Sequence, residues 1–393
     1  MSLISDSRAL ARFCAEQARA DFVAVDTEFL RDTTYWPKLC LVQVAGPDEA
    51  VAIDTLAEGL DLAPLFALLA DRAVLKVFHS ARQDMEIFYH LTGGLPEPIF
   101  DTQVAAMVCG FNESVAYDTL ARKLIGVRID KQSRFTDWSH RPLTQRQIDY
   151  ALADVVHLRP VYSKLENKLH KNGREAWLGE EMAVLTNPET YRLDPDTAWR
   201  RLKSRSSDRA FLAILWAVAA WREREAQERD VPRNRVLRDE QLLDIAAHTP
   251  LTPERLARTR GLNDSFAKGR LGQAILAAVA EGQAVPPEAR PQAAERIERQ
   301  ADQGPLVDLL KVLLKHKCRQ HHVAQKLVAT SPDLERIAQD DDAPVPALHG
   351  WRREVFGTDA LALKRGELAL SAAGGEVRLT RLEGPSQAQT AAR

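Results

Sequence analysis

Phe22-Val-Ala-Val-Asp26-Thr27-Glu28-Phe29 is an apolar run that ends in two acids one residue apart. Two more short apolar runs follow, Leu39-Cys-Leu-Val-Gln-Val-Ala45 and Ala50-Val-Ala-Ile-Asp54, with Pro37, Gly46 and Pro47 as punctuation. Runs this short, bounded by turn residues, predict β-strands. A helical pattern over Leu60 to Ala70, another strand over Val74 to Phe78 and a helix from Arg82 to Leu91 come next. Such alternation predicts a mixed α/β sheet with helices packed on it.

After Asp101 helical patterns take over, at Thr102 to Cys109, Tyr117 to Ile125 and Thr144 to Leu169. Beyond Pro195 the chain reads as a second, all-α region, and the Pro- and Ala-rich segment Pro286 to Pro291 divides it in two. The expected organisation is an α/β domain over 1–195, helical bundles over 207–285 and 290–368, and a flexible tail over 369–393, rich in Gly, Ala, Gln and Thr.

The 393 residues suit two to four domains, and 45% hydrophobic with 27% charged residues is ordinary globular composition. The longest apolar run, Ala210 to Trp221, has 12 residues. That is short of the roughly 20 a membrane-spanning helix needs, so it predicts a buried core helix. The N-terminus lacks a basic segment leading into an apolar stretch, and a cytoplasmic protein without a membrane partner is expected. Cys14, Cys40, Cys109 and Cys318 stand too far apart for a zinc site or a disulfide framework. A net charge of −2 means that any nucleic acid must be held by local basic patches.

The strand period of two places Asp26 and Glu28 on one face. Alone the pair says little, since 55 acidic residues among 393 produce about eight acid-x-acid pairs by chance. Asp84 lies early in a helix, where an acid also favours the helix dipole whatever its function. In Tyr150-Ala-Leu-Ala-Asp154 the spacing of four puts tyrosine and aspartate on one helical face. Together the three acidic sites offer four hard oxygen ligands suited to Mg²⁺ or Mn²⁺. Two such ions supply what phosphodiester hydrolysis needs, a nucleophile made from water and stabilisation of a departing alkoxide.

Asp26-Thr27-Glu28-Phe29, the His79-x4-Asp84 spacing and Tyr150-x3-Asp154 resemble the three motifs of the DEDD exonuclease superfamily in its tyrosine-bearing branch, and within it the bacterial ribonuclease D family. Asp101-Thr102, Asp130-Lys131, Thr136-Asp137-Trp138 and Arg141-Pro142-Leu143 look like that family's connecting segments. The resemblance implies a ribonuclease H-like mixed sheet and a 3′-to-5′ exoribonuclease releasing 5′-mononucleotides, with precursor tRNA 3′ ends as its RNA partner. It implies that two divalent ions are held by Asp26, Glu28, Asp84 and Asp154, with Asp26 bridging, and that Tyr150 positions the attacking water. Thr27, Phe29, His79 and Trp138 become candidate substrate contacts. Arg134 and Thr136 depart from the family's usual Gln and Ser, which bears on fine substrate contacts.

Ala220-Trp221-Arg222-Glu223, Val231-Pro232, Val236-Leu237-x-Asp239 and Gly261-Leu262 are similar to the helical HRDC domain shared by helicases and ribonuclease D, and a second, divergent copy is implied around Gly350-Trp351-Arg352-Arg353-Glu354. The basic stretches Arg200 to Arg205, Lys268-Gly-Arg270 and Lys311 to His322 suit either RNA phosphates or plain solvation. No Gly-x4-Gly-Lys-Ser/Thr loop occurs, so no nucleotide triphosphate is expected, and no Gly-x-Ser-x-Gly elbow occurs. A catalytically silent RNA-binding scaffold and a DNA 3′-5′ exonuclease remain as alternatives. A monomer is expected.

Overall fold

The computed structural model describes residues 3–111, 113–129, 136–204, 206–293 and 303–382. The predicted runs form β2 (Phe22–Leu30), β3 (Lys38–Ala45) and β4 (Ala50–Ile53), joined by β1 (Leu3–Ile4), β5 (Leu75–Phe78) and β6 (Ile99–Asp101). They make one six-stranded mixed sheet in the order β1-β4-β3-β2-β5-β6. β2 is central, antiparallel to β3 and parallel to β5. The helices α1 (Ser7–Gln17), α2 (Ala63–Ala70), α3 (Arg82–Thr92), α4 (Thr102–Val108), α5 (Tyr117–Ile125), α6 (Gln145–Asn172) and α7 (Glu175–Leu185) complete this part.

Alternation along β2 sorts its residues between two layers. Val23 and Val25 pack with Phe13 of α1, Leu65 and Leu68 of α2, and Met85 and Phe88 of α3. Ala24 faces the other way, with Ala45 and Val77, against Val155, Leu158 and Val161 of α6. Burying each of the Val, Leu, Met and Phe side chains among these stabilises the layer by roughly 1.5–3 kcal/mol. α6 starts in a capping box of Thr144 and Gln147 and ends at Gly173, whose φ of 63° is left-handed.

The apolar run Ala210 to Trp221 lies within α8 (Arg209–Glu228), the core helix of the second unit, which packs against the helices Asp239–His248 and Arg270–Ala284. Gly282 allows the crossing, since a Cβ there would stand 2.7 Å from the Cα of Ile214. The third unit gathers the helices Gly304–Gln320, Ser331–Gln339 and Thr358–Lys364 around Phe356. It is not all-α, and residues 369–382 are not a tail. β7 (Leu368–Ala373) and β8 (Glu376–Arg381) pair as an antiparallel hairpin. Gly374 and Gly375, with φ of 61° and 81°, make a two-residue turn of the kind hairpins favour, and Leu368 anchors the hairpin in the helical core.

Both helical units dock on the α/β part. Tyr35, in the loop after β2, donates its hydroxyl to Glu223 of α8 at 2.5 Å and accepts from Arg233 at 2.9 Å and Gln227 at 3.1 Å. Asp230 accepts from the backbone N–H groups of Tyr35 and Trp36. On the third unit Trp351 stacks on Trp177 of α7 at 4.3 Å between ring centroids, and Arg352 pairs with Glu180 and Glu181. Glu223 is fully buried between Arg233 and Arg201. Glu223→Ala is therefore expected to cost about 3–5 kcal/mol and Tyr35→Phe about 1 kcal/mol in urea unfolding; equal effects would contradict this account of the docking.

Candidate active site

Asp26 and Glu28 share the face of β2 that carries Ala24, beneath α6. Thr27 points to the opposite layer, where its hydroxyl donates to the Asp84 carboxylate. Asp84 arrives in the first turn of α3, after a tight bend in which Ser80 has a φ of 64°. Asp101 holds that bend by accepting from the N–H groups of Ser80 and Ala81 at 3.0 and 2.8 Å, while capping α4 through Gln103 and Val104. The connecting segment Asp101-Thr102 thus has a mechanical role, aiming α3.

α6 carries Tyr150 and Asp154 over the same end of the sheet. Tyr117 of α5 donates its hydroxyl to the backbone carbonyl of Asp154 at 2.5 Å. Asp26, Glu28, Asp84, Tyr150 and Asp154 line one cleft of about 840 Å³, and Thr27, Phe29, His79 and Trp138 line it with them. These predicted site residues come from three chain segments, and one further segment holds Trp138. Sequence reasoning missed Tyr117, Gln103 and Arg31 in the same lining; Arg31 pairs with Glu86 at 2.5 Å on the rim.

Not every candidate contact is equally open. Trp138 is 2% exposed and tilts against Tyr150 at 6.1 Å between centroids. It is propped by Arg141, which binds the Trp138 carbonyl at 2.7 Å and grips the Asp54 carboxylate with two nitrogens. Its placement is that of a support under the tyrosine ring. His79 is partly exposed; its Nδ1 stands 2.9 Å from the Thr102 hydroxyl. That hydroxyl already donates to the Phe78 carbonyl, so His79 Nδ1 is the donor to it. Asp130, Lys131 and Arg134 lie outside the described residues, whereas Thr136 lines the cleft and accepts from Gln147 at 3.3 Å.

The cleft's electrostatics are those of crowded acids. Burial pushes the Asp26 carboxyl up to about 7, against the pull of a hydrogen bond from the Thr27 N–H. Burial, then the neighbouring Asp26 charge, pushes Asp84 well above the usual carboxylate range, against the Thr27 hydroxyl. Burial, followed by the charges of Asp154, Glu28 and Asp26, raises the Tyr150 phenol, so it keeps its proton at neutral pH. Among the described residues, no three His, Cys, Asp or Glu side chains stand as an assembled metal cage. The donor chemistry nevertheless fits hard divalent cations: four neighbouring carboxylates, whose ionisation burial and like charge oppose, are relieved by bound positive charge.

Some basic stretches are drawn into pairing. Arg270 pairs with the buried Glu225 and Lys317 with Asp359 at 2.7 Å, while Arg201 stands 3.7 Å from Glu223. Arg205 lies outside the described residues. All four cysteines are buried free thiols, and among the described residues no helix is long and apolar enough to cross a membrane.

A fold with a carboxylate-lined cleft at the end of a mixed sheet defines a class, and the 3′-5′ exonuclease family model matches residues 1–170, with an HRDC domain model matching 211–279. The chain is 54% identical to a ribonuclease D of Granulibacter bethesdensis over 96% of either chain, and 54% identical to one of Nitrobacter hamburgensis over 96% of this chain and 98% of the other. The crystal structure of Escherichia coli RNase D, described as an exoribonuclease involved in structured RNA processing, superposes with a TM-score of 0.80 at 30% identity, covering 92% of this chain and 98% of that one. The chain belongs to the ribonuclease D family and is a nuclease; exonucleases of this type generally use divalent metal ions.

A carboxylate whose pKa rises on folding contributes stability that is complete below its ordinary value and lost as pH rises through the folded value. In chelator, Asp26→Asn is therefore expected to melt above the wild type at pH 8, by on the order of 1–3 kcal/mol, and close to it at pH 4. A difference that does not change with pH in a melting series would contradict the effect of burial described for Asp26.

Proposed function

We propose that the protein is a 3′-to-5′ exoribonuclease that trims precursor tRNA 3′ ends, releasing 5′-mononucleotides with two divalent ions, Mg²⁺ or Mn²⁺, as a cytoplasmic monomer. The observation that carries this reading is the convergence of Asp26, Glu28, Asp84, Asp154 and Tyr150 on one cleft. The family membership and the relatives' names support RNA as the substrate. In this reading the catalytic domain spans 1–195 and the HRDC domain 207–285, and 290–368 is a divergent second helical module with the hairpin appended.

Asp26, with Glu28 and Asp154, would hold one ion, and Asp26 with Asp84 the other. Bound there, the ions supply an activated water and stabilise the charge that develops on the departing oxygen. The protein's own groups do the rest. Tyr150, protonated, donating its O–H to Asp154 and supported by Trp138, is suited to orient the attacking water through its phenol oxygen rather than to remove a proton. Thr27 fixes Asp84 by its hydroxyl, and Tyr117 fixes α6 at Asp154. Phe29 and His79, on the wall of the cleft, would meet the terminal nucleotide in this reading. Attack by water on the last phosphorus breaks its bond to the 3′ oxygen of the preceding nucleotide. The released nucleotide keeps its 5′ phosphate and the shortened chain regains a 3′ hydroxyl.

A time course on 5′-labelled RNA with an unstructured 3′ tail, with Mn²⁺ or chelator, checks the reading. A ladder shortening from the 3′ end is expected, lost in chelator and reduced about a thousandfold or more in Asp26→Ala and Asp154→Asn. Tyr150→Phe is expected to lower kcat about a hundredfold with RNA affinity little changed. RNA binding without degradation would establish a silent scaffold, and preference for a DNA strand of the same sequence would establish a DNA exonuclease. Trimming of a tRNA precursor that does not stop near the mature end would remove the tRNA assignment.

A further inference from the structure

Gln43 stands in the middle of β3 with its side chain completely buried, and among the described residues neither its amide nitrogen nor its amide oxygen has a hydrogen-bond partner. A buried polar group left unsatisfied costs stability, so an apolar side chain of the same shape would stabilise the fold better. Leu41 and Ala45, on the same face of the strand, show that this face accepts apolar residues. The amide is therefore a liability for folding that calls for a use elsewhere.

The strand register says where that use lies. Gln43 is the direct cross-strand partner of Asp26. Directly opposed residues of an antiparallel pair project on the same face with their Cβ atoms about 4.5–5.5 Å apart. On its other side Gln43 faces Ala52, which brings no polar side chain. Along its own strand Leu41 packs with Trp138 and Ala151, and Ala45 packs with Val155 and Leu158. The amide consequently lies beneath the part of α6 that carries Tyr150 and Asp154, with Asp26 directly across the strand pair.

We propose that Gln43 is a positioning residue for the reaction: its amide N–H₂ group donates to the Asp26 carboxylate and fixes the orientation in which that carboxylate holds divalent cations. Side-chain rotation alone brings a glutamine amide to a carboxylate across a strand pair. Gln43 touches neither the cations nor the RNA; it acts through Asp26. The inference rests on the reading of Asp26 as a metal-holding residue.

Three variants test it in the full-length protein: Gln43→Met, an apolar side chain of similar size; Gln43→Asn, a shorter side chain that keeps the amide; and Asp26→Ala. Melting temperature in chelator, kcat and KM on tailed RNA, and the half-saturating Mn²⁺ concentration are measured for each. Gln43→Met is expected to melt at or above the wild type while kcat falls, or half-saturating Mn²⁺ rises, about 10- to 100-fold, with KM for RNA within about twofold. Gln43→Asn, less stable because it leaves a void, is expected to retain more activity than Gln43→Met, so stability and activity rank in opposite orders. In an Asp26→Ala background Gln43→Met is expected to lower the residual turnover no further. Gln43→Met with wild-type kcat and Mn²⁺ dependence, or with activity and stability lost together, overturns the proposal while leaving the Asp26 reading intact. Full activity in Asp26→Ala overturns the reading beneath it.

Discussion

Two carboxylates that repel each other are held together at the end of the sheet, and much of the catalytic domain serves that juxtaposition. Asp26 comes from the middle of β2 and Asp84 from the helical layer on the far side, tied to it through Thr27. Burial raises both above the ordinary carboxylate range, and the Asp26 charge pushes Asp84 further. Folding tolerates this because neighbouring elements are anchored independently. The two aliphatic layers clamp β2, Asp101 holds the bend before α3, and Tyr117 pins α6 at Asp154. The site is stored electrostatic tension, to be relieved by cations, and the surrounding core supplies the stability to hold it.

The helical units join the same design from outside. The Tyr35 loop leaves the end of β2, the strand that carries Asp26 and Glu28, and is locked onto α8 through Glu223 and Arg233. Trp351 and Arg352 fasten the third unit to α7. Each dock uses an aromatic contact with buried or half-buried ion pairs, an arrangement whose worth depends on both partners being present. Some of the basic charge that invited an RNA-binding reading, at Arg270 and Lys317, is committed to such internal pairs.

Local pattern made much of this readable beforehand. The strands from β2 to β5 announce themselves as apolar runs cut by Pro and Gly, and α5 and α8 by helical periodicity. β1 and β6, two and three residues long, are too short to carry a period. The hairpin of β7 and β8 was missed because Ala, Gly and Thr there looked like tail composition, whereas Leu368 buries itself in a core that only the folded third unit provides. The acids and Tyr150 that line the cleft stand at recognisable motif spacing in the sequence. Gln43 does not: inside an apolar strand its meaning depends on the register opposite Asp26. Likewise the burial of Trp138 depends on Arg141 reaching Asp54 across the sheet.

The central claim is that cations take the place of protons on Asp26 and Asp84. Calorimetric titration of Mn²⁺ at pH 7 in buffers of different ionisation enthalpy counts the protons released per protein. The account predicts that two ions bind with a net release of protons, and that release and binding are both lost in Asp26→Ala. Binding that liberates no protons, or that persists unchanged without Asp26, would contradict it.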